Sequence, residues 1–397
     1  MKKSVPTKKG VPMKRIISLL LILAMLLSLS ACGKDKDGAS DAAASPGADI
    51  SRETDASNDD ASNDGSPREG DASAASNDSP ATDSAAETQA QPTHYPVTLT
   101  DQAGREVTLT ETPKRLVSGY YISTSLLIAL DLEDSLVGIE AKAGSRPIYR
   151  LSAPALLDLP NVGSAKEFDL EGCAALEPDL VILPAKLKDA ANTLEELGFP
   201  VLLVNPENQE LLTEMIHLIA EATDTQARAR ELLDFTSAQE KRLSGLLDGA
   251  EAPTVYLAGN SSLRSTAGSA MYQSDLILRS GGANAAAEIT DAYWAQIDYE
   301  QLLYWNPEYI ILASDAAYTA DDVLADPNLA DCAAVAKGQV FQMPGKAESW
   351  DSPVPGGILG TVWLSGILHP DLCPKEENEA IIDEYYEKFY DFVYSDN

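Results

Sequence analysis

Reactive side chains are scarce in this chain. Of its 397 residues, three are His and four are Cys. His94 lies in a polar stretch, His217 inside an apolar helical pattern, and His369 at the end of another, just before Pro370. A bare-metal site needs several His or carboxylates converging on one point, and neither these His nor the Cys have ligand spacing. GxSxG, HExxH and Walker-type loops are absent. "AGNSSLRSTAGS" (258–269) is rich in Ser and Gly, but no His stands near it in sequence to activate a Ser. No catalytic residue and no resident cofactor are therefore expected, and binding is the chemistry left to consider. Trp294 and Trp350 have Gly, Pro, Asp and Ser neighbours, as cleft loops do. Trp305 and Trp363 stand at apolar helical positions and read as core.

The elements that would carry such loops are legible from 95 onward. "YPVTLTDQAGREVTLTETPKRLV" reads as a hairpin about Ala103-Gly104. Apolar strands then alternate with helices: "RLVSG", "DSLVGIE", "EPDLVILPA", "FPVLLVN". Continuous apolar strands between helices predict a parallel sheet covered on both faces. Residues 207–248 contain no strand. Two helices in series are expected there, the second over about 225–247 and capped by Thr223 or Thr225. After Pro253 the strand–helix pattern restarts and runs to the end. About 300 residues exceed one core, so two α/β lobes, 95–206 and 249–397, joined by a single long helix are expected. "DLEGCAALEPDLVIL" (169–183) and "DYEQLLYWNPEYIIL" (298–312) echo one another, with Glu171 and Glu300 each seven residues before a Pro. They read as matching scaffold pieces of two similar halves.

The first 94 residues differ. Six Lys and Arg precede an apolar run from Ile16 to Leu29, too short for a lasting membrane span and suited to a signal peptide over 1–31. "LSAC" (29–32) resembles the lipobox of bacterial lipoproteins, which implies lipid attachment at Cys32. Residues 33–94 hold 14 acids against 4 bases and almost no large apolar side chain. Such a segment cannot offset the entropy of ordering and reads as a tether. The whole chain carries a formal net charge of −33, which argues against nucleic acid as a partner. Beyond Cys32 only Cys173, Cys332 and Cys373 remain; an odd count leaves at least one free, and a Cys332–Cys373 bridge stays open.

The order and spacing of "PKRLVS", "VGSAKEFDLEGCAALEPDLVI", "RSGGANAAAEI", "YWAQIDYEQLLYWNPEYIIL" and the closing "W…ILHPDL" resemble the substrate-binding proteins of ABC importers for ferric siderophores, haem and vitamin B12. The resemblance implies two Rossmann-like lobes with a helical backbone (the class III periplasmic-binding-protein arrangement) and a ligand held between them. It implies delivery to a permease whose partner ATPase supplies energy, from the outer face of a bacterial cell membrane, with a surface sensor or binding module using the same cleft as the non-transport alternative. A monomer is expected. By motif position the cleft residues would be Tyr120, Tyr121, Arg146 and Lys166 in the first lobe, with Ser118 and Tyr149 nearby. Arg264, Tyr272, Trp294 and Trp350 would serve in the second. Asp189 and Asp275 would be the acids that dock on the permease. Tyr and Trp give rigid contact to a flat chelate, and Arg and Lys answer its peripheral charges. Tyr120 and Tyr121 cannot both face the cleft from an extended backbone. Several members carry an Arg just beyond the position of Trp350. Asp351 stands there instead, which argues against a strongly anionic siderophore and leaves room for a neutral or cationic chelate, a corrinoid or an unexpected ligand.

Overall fold

The computed structural model describes residues 94–396, apart from 291 and 293. The apolar leader, Cys32 and the acidic segment up to Thr93 lie outside the described residues. No described helix is long and apolar enough to cross a membrane.

The expected hairpin is formed by Val97–Thr100 (β1) and Glu106–Leu109 (β2), paired antiparallel as a separate two-stranded sheet. Four strands follow: Leu116–Ser118 (β3), Leu136–Ile139 (β4), Leu180–Pro184 (β5) and Val201–Val204 (β6). They form an all-parallel sheet in the order β4-β3-β5-β6. The second lobe has Thr254–Gly259 (β7), Ser262–Ala267 (β8), Ala283–Asn284 (β9), Trp294–Gln296 (β10), Tyr309–Leu312 (β11) and Val340–Gln342 (β12). Its order is β10-β8-β7-β11-β12, with β9 also on β7. This sheet is mixed, because β8 runs antiparallel to both β7 and β10. The Ser-rich segment therefore forms the inner strand β8 and the turn before "IDYE" the edge strand β10, and neither is a loop.

Helices cover both sheets. Tyr121–Ala129 (α1), Pro147–Ser152 (α2), Leu170–Ala175 (α3) and Lys188–Glu196 (α4) belong to the first lobe. Gln209–Thr223 (α5) and Gln226–Leu246 (α6) make the connector, followed by Tyr272–Arg279 (α7) and Tyr299–Trp305 (α8). Ala320–Leu324 (α9), Ala333–Ala336 (α10), Ile358–Leu368 (α11) and Lys375–Tyr390 (α12) complete the second lobe. At 1.5 Å per residue the 21 residues of α6 span about 32 Å. Asn208 caps α5 by accepting from Leu211 N–H. Asp224 closes α5 in the left-handed region, and Thr225 begins α6 without a side-chain cap bond. His94, expected in the tether, pairs with Glu221 of α5 at 3.0 Å. The sequence echo is a matched pair: Asp169 caps α3 before β5, and Asp298 caps α8 before β11.

Alternation within the apolar strands sorts residues between layers. Val117, Val181, Leu183, Val201 and Leu203 enter a cluster on one face of the first sheet. Tyr256, Ile310, Leu312 and Val340 do so in the second lobe. Leu116, Ile182, Leu202 and Val204 face the other way, as do Val255, Leu257 and Ile311, and all seven join one core shared by both lobes. Trp305 and Trp363 are half-buried and packed on these cores, as expected.

Asp101 ties the hairpin to the first sheet. Its buried carboxylate accepts from Ala103 N, Arg105 N, Arg105 Nε and Leu203 N, all at 2.9–3.0 Å. Removing it would leave three backbone donors unpaired and Arg105, itself largely covered, with only Glu195 and the Val201 carbonyl as partners. We expect Asp101→Ala to cost about 3–5 kcal/mol in urea denaturation, the range for breaking a buried pair. The three described cysteines are free and buried. Cys332 lies in the second lobe's own cluster and Cys373 in the shared core, so the bridge left open by sequence does not form. Burial pushes the Cys173 thiol up to about 12, with Asp169 adding to the effect. These three thiols should resist a thiol reagent in the native protein and react together after unfolding.

Candidate functional site

Four loops at the carboxyl ends of parallel strands converge between the lobes, the position that open α/β sheets use for ligands. They follow β3 and β4 in the first lobe and β11 and β12 in the second. Together they enclose a cavity of about 380 Å³. Larger hollows of about 820 and 870 Å³ lie along the outside of the connector, around Arg279 and His217. Those are open grooves with charged rims. The interlobe cavity is smaller, but both lobes send side chains into it.

From the first lobe come Tyr121, Ser125, Lys142, Ser145, Arg146 and Tyr149. The loop after β4 turns tightly at Lys142, whose φ is 70°. Ser145 donates to the Lys142 carbonyl at 2.8 Å, and Pro147 starts α2 immediately after Arg146. This geometry puts Lys142 and Arg146 on one wall. The Arg146 guanidinium lies 4.1 Å from the centroid of the Tyr121 ring, a cation–π stack that holds both. Glu140 is buried and accepts from Thr124 Oγ1 and Tyr149 OH, each at 2.7 Å. Burial raises its pKa against the pull of those two bonds. Glu140 thus fixes Tyr149, which stands on the cavity wall.

From the second lobe come Asp315, Gly345, Ala347, Glu348, Ser349 and Val354. The Ala347 carbonyl accepts from Ile148 N–H at 3.1 Å, joining the two loops directly. Ser349 donates to Asp315 Oδ2 at 2.8 Å. Glu348 accepts from Ser125 Oγ of α1 and, at 3.4 Å, from Tyr386 OH of α12. Burial raises the Glu348 carboxyl to about 7, although both hydrogen bonds act to lower it. Trp350 Nε1 donates to Tyr386 OH at 2.9 Å, so a relay of buried groups orients Glu348.

The expected site residues separate into three groups. Tyr121 and Arg146 line the cavity. Tyr120 and Tyr272 line a smaller interlobe pocket of about 160 Å³, with Glu207 and Gln273. Tyr120 and Tyr121 therefore face different pockets, their rings edge to face at 5.3 Å. Tyr272 is 2% exposed and wedged on Gly357, where a Cβ would lie 2.1 Å from its hydroxyl. Lys166, Arg264 and Trp294 line neither pocket. Lys166 is exposed on its turn, Arg264 lies 5.8 Å from the centroid of the Tyr299 ring, and Trp294 packs over Gly259 at the sheet edge. Trp350, expected in the cleft, is 0% exposed and belongs to the shared core. Its Gly, Pro and Ser neighbours mark a loop, but that loop is covered by α12 and Tyr394. Ser118 is also buried, bonded to Ser123 and Thr124. Asp351 is buried and accepts from Ser314 N–H at 3.2 Å. Asp189 is exposed in the first turn of α4, and Asp275 pairs with Arg279 at 3.0 Å.

Sequence reasoning passed over Lys142, Ser125, Asp315, Glu348 and Ser349. The signal for Lys142 was its place four residues before Arg146 in the same loop. Glu348 stands two residues before Trp350 in "PGKAESW", and attention to the indole hid it. Among the described residues no group of three or more His, Cys, Asp or Glu is placed to hold a metal ion.

Comparison with known proteins agrees with this architecture. The molybdate-binding protein MolA of Haemophilus influenzae is 26% identical over 320 residues, covering 74% of this chain and 90% of that protein. Its molybdate-bound structure superposes with a TM-score of 0.66 at 25% identity, over 75% of this chain and 99% of that one. YvrC of Bacillus subtilis, an ABC transporter substrate-binding lipoprotein, is 26% identical over 55% of this chain and 69% of its own length. The family model for periplasmic binding proteins matches residues 116–347. The chain belongs to the periplasmic binding protein family, whose members bind solutes and catalyse no reaction.

Proposed function

We propose that this protein is the extracytoplasmic receptor of an ABC importer and that its interlobe cavity captures a compact, oxygen-rich anion of the molybdate class. It then passes the anion to a permease driven by a partner ATPase. The observation that carries this reading is the cavity wall built by Lys142 and Arg146, two cations brought onto one small interlobe space. Cations gathered around a small volume suit oxygen acceptors bearing negative charge. About 380 Å³ is at the small end of the roughly 300–1,000 Å³ typical of small-molecule sites. Haem and cobalamin are larger than this space. The likeness to a molybdate-binding protein over nearly its whole length supports the same class.

A compact ferric siderophore is the second reading. The stacked Arg146–Tyr121 pair favours it, as a flat cationic and aromatic surface for a catecholate ring or carboxylate. In both readings the chain is anchored through lipid on Cys32, the acidic segment gives it reach, and Asp189 and Asp275 meet basic residues of the permease. Such rim charges aid orientation and encounter more than affinity.

Calorimetric titration against molybdate, tungstate, sulfate, phosphate, ferric citrate, a ferric catecholate, haemin and cobalamin distinguishes these readings. We expect an oxyanion to bind, with Arg146→Ala weakening it by about 1.5–3 kcal/mol, roughly 10- to 150-fold. Lys166→Ala should leave affinity within about twofold, since Lys166 is exposed outside the cavity. Binding of the ferric catecholate alone would select the second reading. Tight binding of haemin or cobalamin with no oxyanion response would overturn the first.

A further inference from the structure

Glu348 is awkward in an anion site. It is 6% exposed, lines the cavity, and sits on the loop after β12 with its carboxylate held by Ser125 of α1. Helix α12 presents only neutral phenols to it, those of Tyr385, Tyr386 and Tyr390. Lys142 and Arg146 share the cavity from the first lobe, and Asp315 from the second. With Glu348 ionised, two cations and two carboxylates line the space and it offers no net attraction. With Glu348 protonated, one carboxylate charge is removed from the wall that Lys142 and Arg146 share, and one more donor is gained.

Resting on the reading of the cavity as an anion site, we infer that Glu348 is its specificity-determining, proton-carrying residue. It binds the anion as the neutral acid, so capture of a fully deprotonated oxyanion draws one proton from solvent. The proton joins a carboxylate oxygen of Glu348, its O–H is shared with a ligand oxygen, and no bond in the ligand breaks. On release the proton returns to solvent. A buried carboxylate and a bound anion in contact cannot both remain charged without a large cost. The carboxyl's poise near neutrality places the transition where it can be measured.

The test is calorimetric titration of the full-length chain with sodium molybdate from pH 6 to 9. Above about pH 7 the affinity should fall about tenfold per pH unit, the slope for uptake of one proton. At pH 8, titrations in two buffers of different ionisation enthalpy should report about one proton taken up per anion bound. Glu348→Gln, which is permanently neutral, should bind with a pH-independent affinity and take up no proton. The proton count on the unaltered chain decides the matter even if that variant does not fold. Affinity that is flat from pH 6 to 9 with no proton uptake overturns the role of Glu348 and leaves the anion reading standing. A variant that keeps the full pH slope does the same. Absence of molybdate binding across the pH range, with no response to the other oxyanions titrated above, overturns both.

Discussion

The carboxyl-terminal helix reaches back across the molecule, and its aromatic face fixes the spacing of the lobes. Tyr385, Tyr386, Phe389 and Tyr390 of α12 are all buried. Their rings pack on Phe235 of the long connector helix and on Phe392 and Tyr394 beyond. Tyr390 donates to the Ser125 carbonyl of α1 at 3.2 Å. Arg228 of α6 donates to the carbonyls of Ala129 in α1 and Lys388 in α12. Aromatic side chains bury large areas each, and polar tips that reach partners add direction to the packing. One core thus extends from the first sheet to the second. A cavity between lobes joined in this way has walls set by packing, which is the preorganisation a small ligand needs.

The same packing explains where the ionisable groups stand. Glu348 is buried because α12 covers its loop, and it faces the cavity because Ser125 and Tyr386 hold its two oxygens. Glu140 plays a comparable part in the first lobe, fixing Tyr149 through a charge-assisted hydrogen bond. Burial also raises the pKa of Glu133 and Asp351. Carboxyls with raised folded pKa contribute stability that is complete below their unfolded pKa and is lost as pH rises through the folded value. For Glu348 that window runs from about 4.5 to about 7. These groups therefore oppose folding toward higher pH.

Much of this architecture was readable from residue patterns because strands and helices follow local periodicity. The apolar runs around Val181 and Ile311 marked central strands, and the strandless stretch after Asn208 marked the connector. Glu171 and Glu300, each seven residues before a Pro that opens an apolar strand, made the two halves recognisable. The mixed second sheet was not readable, since "SSLRSTA" carries the same Ser and Gly signals as a loop and pairs only because β7 and β10 flank it. The site was half legible. Arg146 and Tyr121 lie where strand-end loops must lie. Trp350 was misplaced because its loop composition says nothing about a helix arriving from 36 residues later to cover it. Lys142 and Glu348 acquire their roles only when the lobes meet, and no local pattern records that meeting.

Crystals of the protein grown with molybdate, with data collected to locate molybdenum by its anomalous signal, test the central claim most directly. The account predicts one strong peak between the lobes, within hydrogen-bonding reach of Arg146 and Glu348. A peak in the outer grooves near Arg279 or His217, with the interlobe cavity free of metal signal, would contradict it.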